Sequence, residues 1–224
     1  MSRAFTKVIA IFWKDMLTEL RTREIMISVL VFSLLVLVIF SFAIDTGTDT
    51  TETVAPGILW VALTFGGVTG LNRIFAVEID NSRLEGLMLC PVDRSVIYWG
   101  KLAGSFTFML IVAIIITPVF LALFNFPVFL PRLALIIVLA ITGFAAVGTL
   151  FSALAVNIRA RDIMLPILFL PVVVPVVVSA VKATGPVLAG APWEEMLTWL
   201  QILVAFDVIY LVAATLVFEY VIEE

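Results

Sequence analysis

Long apolar runs separated by short polar segments dominate the pattern of this chain. Each run has about the 20 residues that an α-helix needs to cross the roughly 30 Å apolar core of a bilayer. The predicted spans are residues 25–44, 54–77, 102–124, 133–156, 163–181 and 200–218. The pattern therefore predicts an all-α integral membrane protein, with residues 25–224 forming a six-span transmembrane domain.

The segment before the first span, residues 1–24, carries apolar side chains at helical spacing. They are Phe5, Val8, Ile9, Phe12, Trp13, Met16 and Leu20. Lys7, Lys14 and Arg21 fall on the opposite side. Such a helix lies in the membrane interface, with its basic side toward the lipid phosphates. We therefore expect an interfacial amphipathic helix, the alternative being an ordinary cytoplasmic extension of the first span.

The longest polar segment between the runs is residues 78–101, and it has too many charges to lie within a bilayer. Apolar residues recur in it at helical spacing, and a proline ends the run. A short helix with one apolar face, on a polar loop, suits a groove in a soluble partner. The alternative is a short helix packed on its own bundle. The predicted docking residues are Arg83, Leu84, Glu85, Leu87, Met88, Leu89 and Pro91. The charges of Arg83 and Glu85 would fix the register of the apolar contact with the partner.

The positive charges predict the orientation of the chain. Of the 13 Lys and Arg residues, all except Arg132 and Lys182 fall on the side of the N terminus and of residues 78–101. Lys and Arg concentrate in cytoplasmic loops. Both termini and the segment 78–101 are therefore expected in the cytoplasm.

Two features inside the predicted spans are candidates for function. Asp207 lies within the sixth span, where a charge is costly, so it should face the bundle interior, pair or be protonated. Two roles are open for Asp207. It contacts a substrate or a proton, or it makes a polar contact between two helices. Pro166, Pro171 and Pro175 lie in the fifth span. Each removes a backbone donor, so this helix is expected to be kinked or broken, as a flexible gate or as part of the packing.

The composition excludes several classes of site. The chain is 63% hydrophobic, has one cysteine, Cys90, and contains no histidine. An imidazole-based metal site or a catalytic triad with histidine cannot be built from it. It also lacks the GxxxxGK[ST] phosphate loop of many ATPases. We expect no enzyme activity, no bound cofactor and no nucleic-acid partner, and any ATP would be bound by another subunit.

Three motifs resemble one family of membrane proteins. They are the run from Ala55 to Ala62 (APGILWVA), Arg73-Ile74-Phe75 followed by residues 84–91 (LEGLMLCP), and residues 170–175 (LPVVVP). Their order and the six spans are similar to the heme exporter B family, the cytochrome c maturation B subunits. The second motif fits that family's LExLxLxP pattern. This chain has Asn81-Ser82-Arg83 where the family usually has Asp-Gly before the Leu-Glu pair.

The resemblance implies a permease-like subunit of an ABC transporter complex, with the architecture of ABC-2 exporters and a coupling helix between spans two and three. Its implied partners are a cytoplasmic ABC ATPase subunit, a heme-handling membrane subunit, a second copy of the chain in a homodimer, and membrane lipid. ATP hydrolysis in that family releases a heme-loaded chaperone for cytochrome c maturation. The implied location is the bacterial inner membrane.

Other functions fit parts of the same pattern. An ABC-2 type permease that exports a drug, a lipid or a polysaccharide would have the same docking helix. An integral membrane enzyme acting on lipid would need clustered acidic residues, for which Glu78, Asp80 and Glu85 are the candidates. A scaffold without a transport cycle would need none of these features.

Overall fold

The computed structural model describes residues 2–44, 49–80, 94–127, 131–154 and 161–221. Within these residues the regular secondary structure is all helical, with no strand. The seven described helices are α1 Ser2–Thr22, α2 Glu24–Ala43, α3 Asp49–Asp80, α4 Arg94–Leu123, α5 Pro131–Leu154, α6 Arg161–Leu188 and α7 Glu194–Val221. The helices α2 to α7 each contain a stretch long and apolar enough to cross a membrane. The predicted all-α membrane architecture is confirmed.

A single left-handed residue separates α1 from the first span. Arg23 has φ 52°, an unusual conformation for a residue with a side chain, and it interrupts the helical run. Its carbonyl accepts a hydrogen bond from the backbone N–H of Ile27 at 2.9 Å, within the first turn of α2. The chain therefore changes direction at Arg23, and α1 is a separate element rather than an extension of α2.

The helices α3 and α5 form the centre of the bundle. In each, 72% of the membrane-span stretch is buried, against 22% for α2 and 28% for α7. Trp60 of α3 is fully buried, and its Nε1 donates to Oγ1 of Thr184 on α6 at 2.9 Å. Thr184 in turn donates to the carbonyl of Ala180 at 2.7 Å. Every polar atom of this chain of contacts is thus satisfied away from water, as a buried polar group requires.

The described helices extend beyond the expected spans, and the largest extensions lie at two places. Helix α4 begins at Arg94, so the last third of the segment 78–101 is helix rather than polar loop. Helix α6 continues to Leu188 and α7 begins at Glu194, so a connection of five residues replaces the loop expected between the fifth and sixth spans. The extra turns are stabilised by apolar side chains that become buried, among them Ile97, Val187 and Met196.

The short connection between α6 and α7 is held at the start of α5. Gly190 has φ 70°, where glycine is favoured, and the next N–H, of Ala191, donates to the carbonyl of Pro186 at 2.8 Å. Nη1 of Arg132 donates to the carbonyl of Ala191 at 2.8 Å, and its guanidinium lies 5.1 Å from the ring centre of Trp193. Arg132, one of the two positive residues predicted on this side of the membrane, therefore packs against the α6–α7 connection.

Candidate functional site

The predicted docking residues fall outside the described part of the chain. They are Arg83, Leu84, Glu85, Leu87, Met88, Leu89 and Pro91, and the structure describes the two helices that precede and follow them. Helix α3 ends at Asp80 and α4 begins at Arg94. The structure therefore shows how α4, the helix that follows this candidate site, packs in the bundle.

The first turns of α4 are buried in a second, smaller apolar cluster at this end of the bundle. The cluster joins α1, α4, α5 and α7 through Ile11, Val96, Ile97, Tyr98, Leu102, Ala145, Ala146, Leu150, Ala214 and Phe218. The Tyr98 ring lies 5.3 Å from the ring of Phe218, and its hydroxyl donates to the carbonyl of Ala146 at 3.4 Å. The start of α4 is thus fixed to three other helices.

Helix α1 lies directly against the backbone of α4. A Cβ atom at Gly100 would be 2.8 Å from Cβ and Cγ2 of Ile11, closer than real side chains come. At Gly104, one turn further along, a Cβ would be 3.6 Å from Cβ of Asp15. Two glycines four residues apart let helices approach closely in membranes. Here they form the seat of α1 on α4.

A buried ion pair between α4 and α1 lies next to this contact. Nζ of Lys101 lies 2.9 Å from Oδ2 of Asp15, and the Lys101 side chain is 2% exposed. The other oxygen of Asp15, Oδ1, is 3.0 Å from Nζ of Lys14. Sequence analysis placed Lys101 in the polar segment, but the structure places it in the packed helix, with its charge neutralised by α1. A lysine and an aspartate 86 residues apart carry no local signal of this pairing.

The predicted apolar face of α1 divides into two stripes. Ile11 is buried against α4, and Val8 and Phe12 are half-buried beside it. The second stripe, whose residues are at least 44% exposed, consists of Phe5, Ile9 and Trp13 together with Leu17, which was not among the predicted residues. Their spacing of four residues keeps them on one side of the helix. Helix α1 thus has one apolar side for the bundle and another that remains uncovered.

Asp207 lies inside the bundle, at the contact between α7 and α5. Its side chain is 6% exposed, and a Cβ atom at Gly143 would be 2.8 Å from its Oδ1. Neither of its carboxyl oxygens has a hydrogen-bond partner among the described residues. The polar helix contact considered for Asp207 requires such a partner. The buried position was predicted, and the unpartnered state is a feature that only the structure could give.

The prolines of α6 lie within one helix that runs from Arg161 to Leu188. Pro171 and Pro175 are exposed, whereas Asp207 is buried. The next residue, Val176, is buried, and its Cγ2 would be 3.2 Å from a Cβ at Gly143, so this helix also borders Asp207. The structure therefore does not bring the two prolines and Asp207 together in one site. A gate at the prolines stays a prediction.

The described residues offer no ligand set for a metal ion. Among them, no three of the residue types His, Cys, Asp and Glu lie close enough together to hold one. Among the described residues, α1 and α4 provide packing and charge pairing at this end of the bundle.

A family model described as CcmB protein matches residues 6–223. The chain belongs to the CcmB protein family. A protein of Pseudomonas aeruginosa named "Heme exporter protein B" is 25% identical over 177 residues, which cover 79% of each chain. The protein of that name from Paracoccus denitrificans is 27% identical over 163 residues, covering 72% of this chain and 75% of the relative. The one from Escherichia coli K12 is 32% identical over 95 residues, 40% of this chain and 43% of the relative.

Membership of the CcmB family confirms the resemblance that the motifs indicated. The match includes α1 from its second turn onward, all six candidate spans and residues 83–91, which form the predicted docking segment. The protein is thus a multi-pass membrane protein built as one CcmB unit. The seat of α1 on α4 and the Lys101–Asp15 pair are features that sequence reasoning missed.

Proposed function

We propose that this CcmB protein is the permease-like membrane subunit of an ABC transporter complex that acts on heme. The observation that carries the proposal is the family match over residues 6–223 of a chain with six candidate spans. Relatives that cover most of the chain are named "Heme exporter protein B". The chain is a transport component rather than an enzyme, and ATP is hydrolysed by a separate cytoplasmic ATPase subunit.

The ATPase subunit docks on the segment between α3 and α4. The apolar residues Leu84, Leu87 and Met88 enter its groove, and the charges of Arg83 and Glu85 set the register. Force applied there reaches the membrane through α4, whose first turns pack on α1, α5 and α7. The rigid packing of Val96, Ile97 and Tyr98 supports this route, because a docking element transmits motion only if it is joined to a stiff helix.

The other proposed components follow from the same family. A heme-handling membrane subunit works beside this chain, which pairs with a second copy and contacts lipid in a bacterial inner membrane, with both termini in the cytoplasm. ATP hydrolysis drives release of a heme-loaded chaperone for cytochrome c maturation. The uncovered stripe of α1, Phe5, Ile9, Trp13 and Leu17, supports an interfacial position for that helix.

Purification of the tagged chain from its native membrane, with and without Leu87→Asp, tests the proposal. We expect an ABC ATPase subunit to co-purify with the native chain and to be lost with Leu87→Asp, because a carboxylate cannot enter an apolar groove without a partner. Leu87→Met, which keeps an apolar side chain of similar volume, is the matched control and should retain the ATPase. The amount of chain recovered in the membrane is measured for all three.

Two results would contradict the proposal. Recovery of the chain without any ATPase under gentle conditions would remove the ABC assignment. Equal recovery of the ATPase with native chain and Leu87→Asp would move the docking site elsewhere. A complex that hydrolyses ATP but does not release the heme-loaded chaperone would favour the alternative function, an ABC-2 type permease that exports another substrate.

A further inference from the structure

Asp207 and the residues that border it, Gly143 and Val176, lie near the middle of three candidate membrane-spanning helices. It is 13 residues after Glu194 in the 28-residue helix α7. Gly143 is 12 residues after the start of the 24-residue helix α5, and Val176 is 15 residues after the start of the 28-residue helix α6. At a rise of 1.5 Å per residue, Asp207 is about 20 Å from the start of its helix. Water at either membrane surface is therefore remote.

The gap between Gly143 and the carboxyl group is too small for a methyl group, and both carboxyl oxygens are buried. An added Cβ at Gly143 would be 2.8 Å from Oδ1 of Asp207, 3.2 Å from Cγ2 of Val176 and 3.3 Å from Cδ1 of Phe206. A single methyl group does not fit in this gap, so neither a metal ion with its ligands nor part of an organic substrate fits. A proton adds no volume.

No charge that could compensate Asp207 faces it in the described residues. Gly143 of α5 and Val176 of α6 carry no titratable group, and Tyr210, three residues further along α7, is the nearest one on its own helix. On the helices packed against α7, Lys182 is exposed, about 9 Å further along α6 than Val176. Two further cations on these helices have described side chains and are engaged elsewhere, Arg132 with the carbonyl of Ala191 and Lys101 with Asp15.

We propose that Asp207 is a proton-binding site in the middle of the membrane. The group holds its proton as a neutral carboxylic acid while α5, α6 and α7 are packed, because an ionised carboxylate without water, cation or donor is strongly disfavoured there. It exchanges the proton with water when α5 and α7 separate at Gly143. The site gives this CcmB protein a proton-linked step beyond the proposed coupling to ATP.

Infrared spectroscopy of the full chain in lipid nanodiscs tests the first part. In mildly alkaline buffer ordinary carboxyl groups are ionised, so a protonated one gives a separate C=O band. We expect this band in the native chain, its loss in Asp207→Asn, and a shifted band in Asp207→Glu. Asp15→Asn is the matched control, because Asp15 is ion-paired with Lys101 and contributes no such band. A spectrum that Asp207→Asn and Asp207→Glu both leave unchanged would overturn the proposal.

The rate at which the band shifts in heavy water tests the second part. The native chain should exchange slowly, since Asp207 is 6% exposed and both of its carboxyl oxygens are buried. Gly143→Ala places a methyl group against Oδ1 and should accelerate exchange about tenfold or more. Val176→Ala, which removes the Cγ2 methyl group that borders Gly143, provides a second route to the same loosening. Exchange as slow as in the native chain for both variants would show that separation of α5 and α7 does not control the site. None of these measurements needs the ATPase, so they fail or succeed independently of the proposed function.

Discussion

At the scale of single residues, two carboxyl groups of this chain are buried in opposite ways. Asp15 reaches Lys101 at 2.9 Å and Lys14 at 3.0 Å, so its charge is compensated where it enters the bundle. Asp207 has no hydrogen-bond partner among the described residues. The first arrangement joins two helices and the second leaves a group that can bind and release a proton. Burial alone therefore does not define the role of a carboxyl group.

Removal of the buried lysine tests the contribution of the ion pair. We expect Lys101→Met to lower the free energy of unfolding by about 3 kcal/mol, the lower end for breaking a buried pair, because Lys14 still faces Asp15. Thermal unfolding in detergent would measure the loss. The double variant with Asp15→Leu should recover most of it, since apolar residues of similar volume often replace buried pairs without cost. A double variant less stable than Lys101→Met alone would contradict this account.

At the scale of elements, α1 and α4 form one unit beside the docking segment. Gly100 permits the contact with Ile11, and the Lys101–Asp15 pair lies next to it. Helix α4 begins directly after the docking segment, so whatever moves that segment moves α1 as well. The uncovered stripe of α1 would carry the movement to the membrane surface.

Gly100→Ala tests this close approach. The new methyl group would be 2.8 Å from two atoms of Ile11, so α1 must shift. We expect a loss of about 1–3 kcal/mol, as for other overpacked sites, and faster trypsin cleavage after Lys14. Gly57→Ala in α3 is the matched control, because its Cβ would meet nothing within 4 Å. This control should be neutral or stabilising by up to about 1 kcal/mol. Unchanged cleavage in Gly100→Ala would argue against a tight seat.

At the scale of the whole molecule, α3 and α5 form the centre of a bundle whose outer helices expose apolar side chains. The surface of α2 and α7 includes Ile27, Val31, Val208 and Val212, each at least 56% exposed. A membrane-spanning protein can present this surface because lipid tails are as apolar as the side chains. The orientation that the positive charges predict then places the α6–α7 connection outside the cytoplasm.

Thiol labelling tests the orientation. In a Cys90→Ser background, an impermeant maleimide added to spheroplasts should label Ala189→Cys, which is at the exposed α6–α7 connection. Thr6→Cys, on α1, should react only after the membrane is permeabilised. Labelling of Thr6→Cys in sealed spheroplasts would reverse the predicted topology.

Much of the fold could be predicted because a membrane restricts it strongly. A stretch without charges, such as residues 25–44, must be a helix of spanning length in order to satisfy its backbone hydrogen bonds. The ends of the helices were less predictable. Residues 94–101 begin and end with a charge, at Arg94 and Lys101, and yet form the first turns of α4, because Ile97 and Tyr98 are buried by helices distant in sequence.

The sequence by itself determined that the chain crosses a membrane as helices, that its first helix is amphipathic, and which family it belongs to. These properties depend on composition, spacing and local motifs, which are read along the chain. Only the tertiary structure decided that Lys101 pairs with Asp15, that Gly100 seats α1, and that Asp207 faces Gly143 without a partner. Such contacts join residues that are far apart in sequence, and the packing of the helices alone brings them together.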